Sequence, residues 1–420
     1  MDRQLEVFWN EILVGALTQT KGGTLSFAYD RDYIADNGAA ISISMPISEQ
    51  PFSSELTKAF FSGLLPDESP RKNLARFLGV SDKNSFALLE AIGGECAGAL
   101  SLRPIDFQIN ELKGEPEILD NKRLKEILEL LKRRPMLAGV DGVRLSLAGA
   151  QDKIAVGLID NKIAIMKGNT PTTHILKPMI EGIKDSVQNE LFCMRLAKSM
   201  DIKVPNASVI YVDDIPCYLV ERYDRQTLNG KTIRVHQEDF CQAMGIPPEL
   251  KYEREGGPSV ERSIELLRQN SARPAADIIQ FTDILIFNYL IGNADAHGKN
   301  YSLIYNSKKP QLAPAYDLLC TEIYPDLAKK MAMKIGGKYE PDMVHLRHWQ
   351  KIVPDTIVAK RNLEKSLIDK ANAIIPKAHE VAASLIAENS NSIVFEQIIS
   401  VIEKRARHLK GTFGELMRGQ

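Results

Sequence analysis

Between about residue 139 and Arg225 the chain is a succession of short β-type segments, and from there to Gln420 it reads as mainly helical. Segregating strands from helices argues against an alternating α/β fold. It points to α+β, with a small sheet-bearing lobe ahead of a larger helical one. Two turn pairs mark the strand part. Asp160-Asn161 joins Lys153–Leu158 to Lys162–Met166, and Asp213-Asp214 joins Val209–Val212 to Cys217–Glu221. Thr173–Leu176 is a further strand leading into Lys177, and a helix follows from Val187 to Met200 with Leu191, Met194 and Ala197 at helical spacing.

With 420 residues the chain exceeds one ordinary domain. Near the start, Leu5, Val7 and Trp9 share one face, Asn10-Glu11 turns, and Ile12–Leu17 returns, which predicts a hairpin. A second β segment is expected over Ala40–Met45, followed by helices over Leu56–Leu65, Pro70–Leu78 and Asn84–Ile92, with Pro70 at a first helical position. Lys122–Leu131 is amphipathic and ends at Arg133-Arg134-Pro135. The expected division is an N-terminal subdomain over 1–105, a helical linker over 106–137, a β-rich lobe over 138–222 and a helical lobe over 223–420.

Lys and Arg (53) nearly balance Asp and Glu (54), for a net charge of -1. A chain that gripped nucleic acid through its own phosphate contacts would be basic, so any DNA contact is expected to be local or shared with a partner. The first residues lack the apolar run of a secretion signal. The best membrane candidate, Ile278–Ile291, is interrupted by Gln280, Asp283 and Asn288 and reads as too short, so no membrane association is expected. The five cysteines have neither paired nor zinc-type spacing, and read as buried thiols of a reducing cytoplasm.

The segment Gly292-Asn293-Ala294-Asp295-Ala296-His297-Gly298-Lys299-Asn300 carries the most chemistry. Phosphoryl transfer needs a carboxylate to accept the substrate hydroxyl proton, and oxygen ligands for magnesium close by. In protein kinases the base Asp and the metal-binding Asn stand five positions apart, as Asp295 and Asn300 do. Tyr301–Tyr305 reads as a strand, Asn306–Pro310 as a turn and Gln311–Ala315 as its return, so a hairpin would bring Asp317 beside Asn300 as a second metal ligand. Alone, such a loop would as readily cap its flanking elements; the hairpin and Asp317 favour the site. His297 reads either as a base or as a structural histidine. Lys299 is placed to neutralise the transferring phosphoryl group, with a solvated lysine as the alternative.

Upstream, Ser146-Leu147-Ala148-Gly149-Ala150-Gln151-Asp152-Lys153 opens the β-rich lobe with small residues that let backbone N–H groups approach phosphate oxygens. It matches neither a Walker A nor a GxGxxG loop. Lys177 at a strand end with Glu190 in the next helix fits the ion pair that holds ATP phosphates in kinases, although Glu190 reads equally as an exposed helix residue. Leu219 to Asp224 joins the lobes and could offer backbone groups to adenine. The Gly256-Gly257-Pro258 turn after Lys251-Tyr252-Glu253 reads equally as a mobile loop or as a structural turn.

At these residues the sequence resembles the HipA family, serine/threonine kinase toxins of bacterial toxin–antitoxin pairs. The matching stretches are Phe61 to Asp67, Ser146 to Lys153, Thr170 to Lys177, Val220 to Arg225, His236 to Asp239, Lys251 to Glu253, Asp295 to Asn300 and Tyr316-Asp317. The resemblance implies a phosphatidylinositol-kinase-like fold with an extra N-terminal subdomain. It implies ATP contacts from Ala148, Gly149, Ala150, Gln151, Asp152 and Lys153, from Lys177, and from the adenine hinge Glu221, Arg222 and Tyr223. His297, Gly298, Lys299, Asn300, Tyr316 and Asp317 would complete the nucleotide site, with Asn300 and Asp317 on Mg2+ and Asp295 as proton acceptor. Ser146 matches the serine that family members autophosphorylate to switch themselves off. Tyr223 stands where some members carry Phe, and Asp152 where some carry Glu. Implied partners are a small helix-turn-helix antitoxin of the HipB kind, operator DNA through that complex, and a substrate such as an aminoacyl-tRNA synthetase, glutamyl-tRNA synthetase above all. The competing expectations are a small-molecule phosphotransferase on the same fold and a DNA-bound co-repressor with a vestigial nucleotide site.

Overall fold

The structure is a computed structural model that describes residues 2–105, 115–140, 142–388, 390 and 392–418. The expected linker over 106–137 therefore lies partly, at 106–114, outside the described residues. Two compact units are present: Met1–Pro178 with Ile210–Leu250 and Ser302–Pro310, and Met179–Val209 with Lys251–Tyr301 and Gln311–Gln420. This partition cuts the chain differently from the four-part division, because one hydrophobic core in the first unit runs from Leu5 through Phe61, Leu102, Leu131 and Ile154 to Leu219.

In the first unit, β1 (Arg3–Trp9), β2 (Ile12–Gln19), β3 (Leu25–Tyr29) and β4 (Leu100–Pro104) form an antiparallel sheet in the order β3-β2-β1-β4. Asn10 takes the left-handed conformation (φ 55°) that closes the first hairpin. A second sheet contains β5 (Glu117–Ile118), β6 (Ile154–Ile159), β7 (Lys162–Ile165), β8 (His174–Pro178), β9 (Ala207–Val212) and β10 (Ile215–Glu221), ordered β5-β7-β6-β8-β10-β9. Asp160 and Asn161 both have positive φ (48° and 60°), the signature of the two-residue turn whose twist matches its flanking strands. β8 lies between β6 and β10, and its register puts Lys177 opposite Tyr218.

Three expectations need correction. Residues 40–45 form no strand: Ser42 and Met45 make one isolated bridge, while Ser42 Oγ (2.5 Å) and the Ile43 N–H (3.1 Å) donate to Glu238. Nor is the chain helical directly after Arg225, since β11 (Arg225–Leu228) and β12 (Lys231–Arg234) form a ribbon, and β13 (His236–Asp239) pairs with β14 (Ser302–Tyr305). The helix expected at Pro70 begins at Glu68. Pro70 is its third residue, still within the first turn, where an amide has no intrahelical acceptor to lose.

The second unit is built from the helices Ser186–Ser199, Val260–Asn270, Pro274–Ile291, Ile357–Ala387 and Val394–Arg418, with β15 (Gln311–Leu312) and shorter turns between them. Phe192 stacks on Phe395 with ring centroids 5.3 Å apart. Pro274–Ile291 is longer than the apolar run read from sequence. By length and composition it would suffice to cross a membrane, but 56% of it is buried inside the protein, as a core helix is.

Candidate active site

Pro274–Ile291 ends at Gly292, whose φ of 71° turns the chain out of the helix while its N–H still bonds to Asn288 and Tyr289. A Cβ there would stand 2.7 Å from Val401 Cγ1 and 2.9 Å from Glu322 Cβ, so geometry and space both require glycine. A chain of amide contacts then shapes the loop. Asn293 Nδ2 donates to Asn288 Oδ1 (2.9 Å), Asn293 Oδ1 accepts from the Asp295 N–H (3.0 Å), and the Ala294 N–H donates to Thr321 Oγ1 (2.8 Å). The Asp295 carbonyl is bracketed by the His297 N–H (2.8 Å) and by Asn300 Nδ2 (3.0 Å). Asp295 and Asn300, paired by spacing alone in the sequence, are thus joined in space.

Asn300 uses its amide nitrogen on Asp295, which leaves the carbonyl end of its side chain for a hard cation. Tyr316 Oη donates to the Lys299 carbonyl at 2.7 Å, bringing the chain after β15 back to the loop that precedes β14. Asp317, next in sequence, has a left-handed φ of 58°. An amide oxygen and a carboxylate suit magnesium, which keeps several waters and takes few protein ligands. Among the described residues no three His, Cys, Asp or Glu side chains converge on a metal-sized site. Lys299 is buried, which rules out the solvated-lysine alternative, and Glu190 is buried as well. The His297 ring meets the Tyr252 ring edge-on at 5.2 Å.

The first unit holds the other expected residues. Ser146 is fully buried, donates from Oγ to the Leu64 carbonyl (2.6 Å) and from N–H to the Glu95 carbonyl (2.8 Å). Gly149 has a φ of 112°, and its carbonyl accepts from the Asp67 N–H at 3.0 Å. Lys153 folds back to donate to the Ala148 carbonyl (2.7 Å), filling the space a Cβ on Gly149 would occupy. Gln151 Nε2 donates to the Pro178 carbonyl at 2.9 Å, which ties the loop to the end of β8 just past Lys177. Lys177 is buried with Nζ 5.5 Å from the centre of the Tyr218 ring.

Arg222, expected at an adenine hinge, is instead buried in an ion-pair cluster. Its N–H bonds to the Thr173 carbonyl (2.9 Å), and its guanidinium is buried against Glu95 (3.1 Å) and Asp224 (2.8 Å). Arg225 and Arg234 reach the same Glu95 at 2.9 and 3.1 Å. Burial alone would push the Glu95 carboxyl up, but the guanidiniums of Arg225, Arg222 and Arg234 outweigh it and hold it at about 2. The side chain of Arg222 is thus wholly engaged in this buried cluster, and its carbonyl accepts from the Arg225 N–H at 3.2 Å.

Sequence reasoning missed Asn293, Thr321 and the Glu95 cluster as supports, and Tyr252 as a neighbour of the loop. Tyr252 Oη donates to Asp295 Oδ1 at 2.6 Å, and the Lys251 carbonyl accepts from the Gly298 N–H at 3.1 Å. The residues after them form a tight turn: Gly256 (φ 99°) donates to the Glu253 carbonyl and Gly257 to that of Tyr252, both at 3.0 Å. This is the structural-turn alternative.

A strand lysine, a braced loop carrying Asp295 and Asn300, and mixed sheet and helix content define a two-lobed, protein-kinase-like α+β protein. The family model described as the HipA N-terminal domain matches residues 5–103, and that of the HipA-like C-terminal domain matches 145–384. The chain belongs to the HipA family of serine/threonine kinase toxins. It is 42% identical over 397 residues to Y4mE of Sinorhizobium fredii, named only as a kinase candidate, with 92% of this chain and 94% of that protein covered. It is 29% identical to the serine/threonine-protein kinase toxin HipA of Shewanella oneidensis, over 89% of this chain and 88% of the toxin. Among solved structures, HipA in the Shewanella oneidensis complex of HipA, HipB and operator DNA superposes with a TM-score of 0.85 at 27% identity, covering 98% of each chain.

Proposed function

We propose that the protein transfers the γ-phosphate of ATP to a serine of another protein, with Asp295 as the general base. The observation that supports this reading most is the junction of Asp295 with Asn300, whose amide nitrogen bonds to the main-chain carbonyl of the residue that carries the carboxylate. Asn300 and Asp317 hold magnesium, which when bound offsets charge on the nucleotide phosphates. Lys177 and the backbone of Ala148 to Lys153 hold the phosphates, while Glu221, Arg222 and Tyr223 meet adenine through main-chain groups. Asp295 takes the proton of the incoming hydroxyl, and Lys299 with His297 and Gly298 lines the transfer position.

By kinship with the toxins, the substrate is an aminoacyl-tRNA synthetase, glutamyl-tRNA synthetase first, and its modification arrests growth and favours persistence. The near-zero net charge supports DNA contact through a HipB-like helix-turn-helix antitoxin, with the kinase as co-repressor. All five cysteines are buried and none forms a disulfide, which accords with a cytoplasmic setting. Incubation of the purified chain with radiolabelled ATP, magnesium and candidate synthetases tests the reading. Label on a synthetase serine, lost in Asp295→Asn, supports it; label on sugars or lipids alone would favour a small-molecule phosphotransferase.

A further inference from the structure

We infer that Arg405, on the helix Val394–Arg418, is a positioning residue of the reaction: by fixing Glu322 it holds the stretch from which the Asp295 loop hangs. The inference rests on Asp295 being the base. Gly292 and Ala294, both just ahead of Asp295, are bonded to one short stretch, Thr321-Glu322. The Gly292 carbonyl accepts from the Glu322 N–H (3.1 Å) and from Thr321 Oγ1 (3.2 Å), and the same Oγ1 accepts from the Ala294 N–H (2.8 Å). Where Thr321-Glu322 sits therefore sets where the loop begins. That stretch is held in turn through the Glu322 carboxylate. Arg405 donates from Nε to Glu322 Oε2 at 3.0 Å and from Nη2 to the same oxygen, while Lys404 Nζ donates to Oε1 at 3.1 Å.

The buried Arg405 guanidinium meets more than Glu322. It donates from Nη1 to Asp342 Oδ1, and its central carbon lies 5.8 Å from the centre of the Tyr289 ring, on the helix that leads into the loop. Tyr289 Oη donates to the carbonyl of Pro341, the neighbour of Asp342, at 3.3 Å. One turn earlier than Arg405, Val401 Cγ1 packs over Gly292, 2.7 Å from where a Cβ would stand. A planar fork that divides its donors between two carboxylates fixes their relative direction, which a single ammonium cannot do. As a source of stability such a buried pair is poor, because apolar side chains of like volume often stabilise a fold as well or better. What they do not supply is direction, and transfer rates fall steeply when a reacting group is displaced by about an ångström. The geometry therefore favours positioning over stability as the role of this pair.

Single-turnover consumption of radiolabelled ATP by excess protein is followed, with label counted in protein and in released phosphate and rates expressed per nucleotide-binding molecule. Arg405→Met is expected to slow consumption about ten- to hundredfold. Nucleotide affinity should stay close to wild type, because Lys177 and the backbone of Ala148 to Lys153 lie outside this stretch. The thermal midpoint of Arg405→Met should fall, since Glu322 loses its buried partner. Adding Glu322→Met removes the second charge, so the midpoint is expected to recover toward wild type while the rate stays low. A rate that recovers together with the midpoint would make the pair merely structural and overturn the inference. So would a wild-type rate per nucleotide-binding molecule in Arg405→Met. Should that variant not fold, Arg405→Lys keeps the charge but replaces the fork by one nitrogen, and is expected to lose about three- to tenfold in rate; no loss would again overturn the inference. Near wild-type consumption by Asp295→Asn would instead overturn the reading of Asp295 as base.

Discussion

At the scale of single residues, Asp295 and Asn300 were singled out by their five-residue spacing, and the fold joins them through the Asn300 amide on the Asp295 carbonyl. Asp295→Ala is expected to lower single-turnover transfer by about 10²–10⁴-fold while leaving nucleotide affinity close to wild type, since a base acts in the transition state. Isothermal titration beside a quenched-flow measurement separates the two effects. Asp317→Asn should raise the magnesium concentration needed for half-maximal activity more than it weakens metal-free nucleotide binding, because a hard cation favours the anionic oxygen. The residues that support these groups left no such trace in the sequence. Glu95, Arg222, Arg225 and Arg234 are each an ordinary charge in sequence, and only the fold buries them together. Glu95→Ala takes a buried carboxylate from three buried guanidiniums, of which Arg222 and Arg225 keep only Asp224, so a loss of about 3–5 kcal/mol is expected in denaturant melts. The Glu95 carboxyl is held at about 2 in the fold, below its ordinary value of 4.5. The stability it contributes is present above that ordinary value and is lost as pH falls through the interval toward about 2. Melts between pH 5 and 3 should therefore show a steeper decline for wild type than for Glu95→Gln.

At the scale of elements, hairpins were readable where a turn demands positive φ, as at Asn10 and at Asp160-Asn161, because few side chains accept that conformation. The strands β11 to β13 were not, since each spans four residues and β13 finds its partner β14, itself read as a strand over Tyr301–Tyr305, more than sixty positions later. The alternation in Ala40–Met45 misled for a related reason: its inward groups clasp Glu238 instead of pairing with a strand. Burial pushes the Glu238 carboxyl up to about 7, against the pull of the Ser42, Tyr305 and Ile43 donors. A raised acid stabilises the fold most while it is protonated, so its contribution falls as pH rises from its ordinary value of 4.5 through about 7. Glu238→Gln is expected to flatten that fall, raising the melting temperature relative to wild type at pH 8 more than at pH 5. The helix that leads into the Asp295 loop depends on its glycine cap. Gly292→Ala should cost about 1–3 kcal/mol, from the positive φ and from the crowding by Val401 and Glu322. It should also slow transfer by displacing Asp295, which urea melts and single-turnover assays would register together.

At the scale of the molecule, the family relationship and the enclosed Ser146 segment, proposed above as the phosphate loop, bear on how the protein would be switched off. Ser146 opens that loop and is fully enclosed, with its hydroxyl on Leu64 and its amide on Glu95. Parallel bridges join Pro66 to Gly149 and Glu95 to Leu145, so the loop is clipped to two segments distant in sequence. A phosphoserine brings a charge of about −1.5 to −2 and three acceptor oxygens, and neither the volume nor the charge fits against the Leu64 carbonyl. Once modified, the loop is expected to leave, the backbone cradle of Ala148 to Lys153 is lost with it, and ATP affinity falls sharply. Because the hydroxyl is closed in by its own unit, it can be reached only with the loop out, which favours transfer between molecules. Incubation with ATP and magnesium should add one phosphate by intact mass, mapped to Ser146, at an initial rate that rises with the square of protein concentration. Nucleotide titration should then show much weaker binding by the modified protein, while Ser146→Ala taken through the same incubation keeps its affinity. A phosphate found elsewhere, or full ATP affinity with Ser146 phosphorylated, would return Ser146 to the role its contacts already show: a serine that pins a loop.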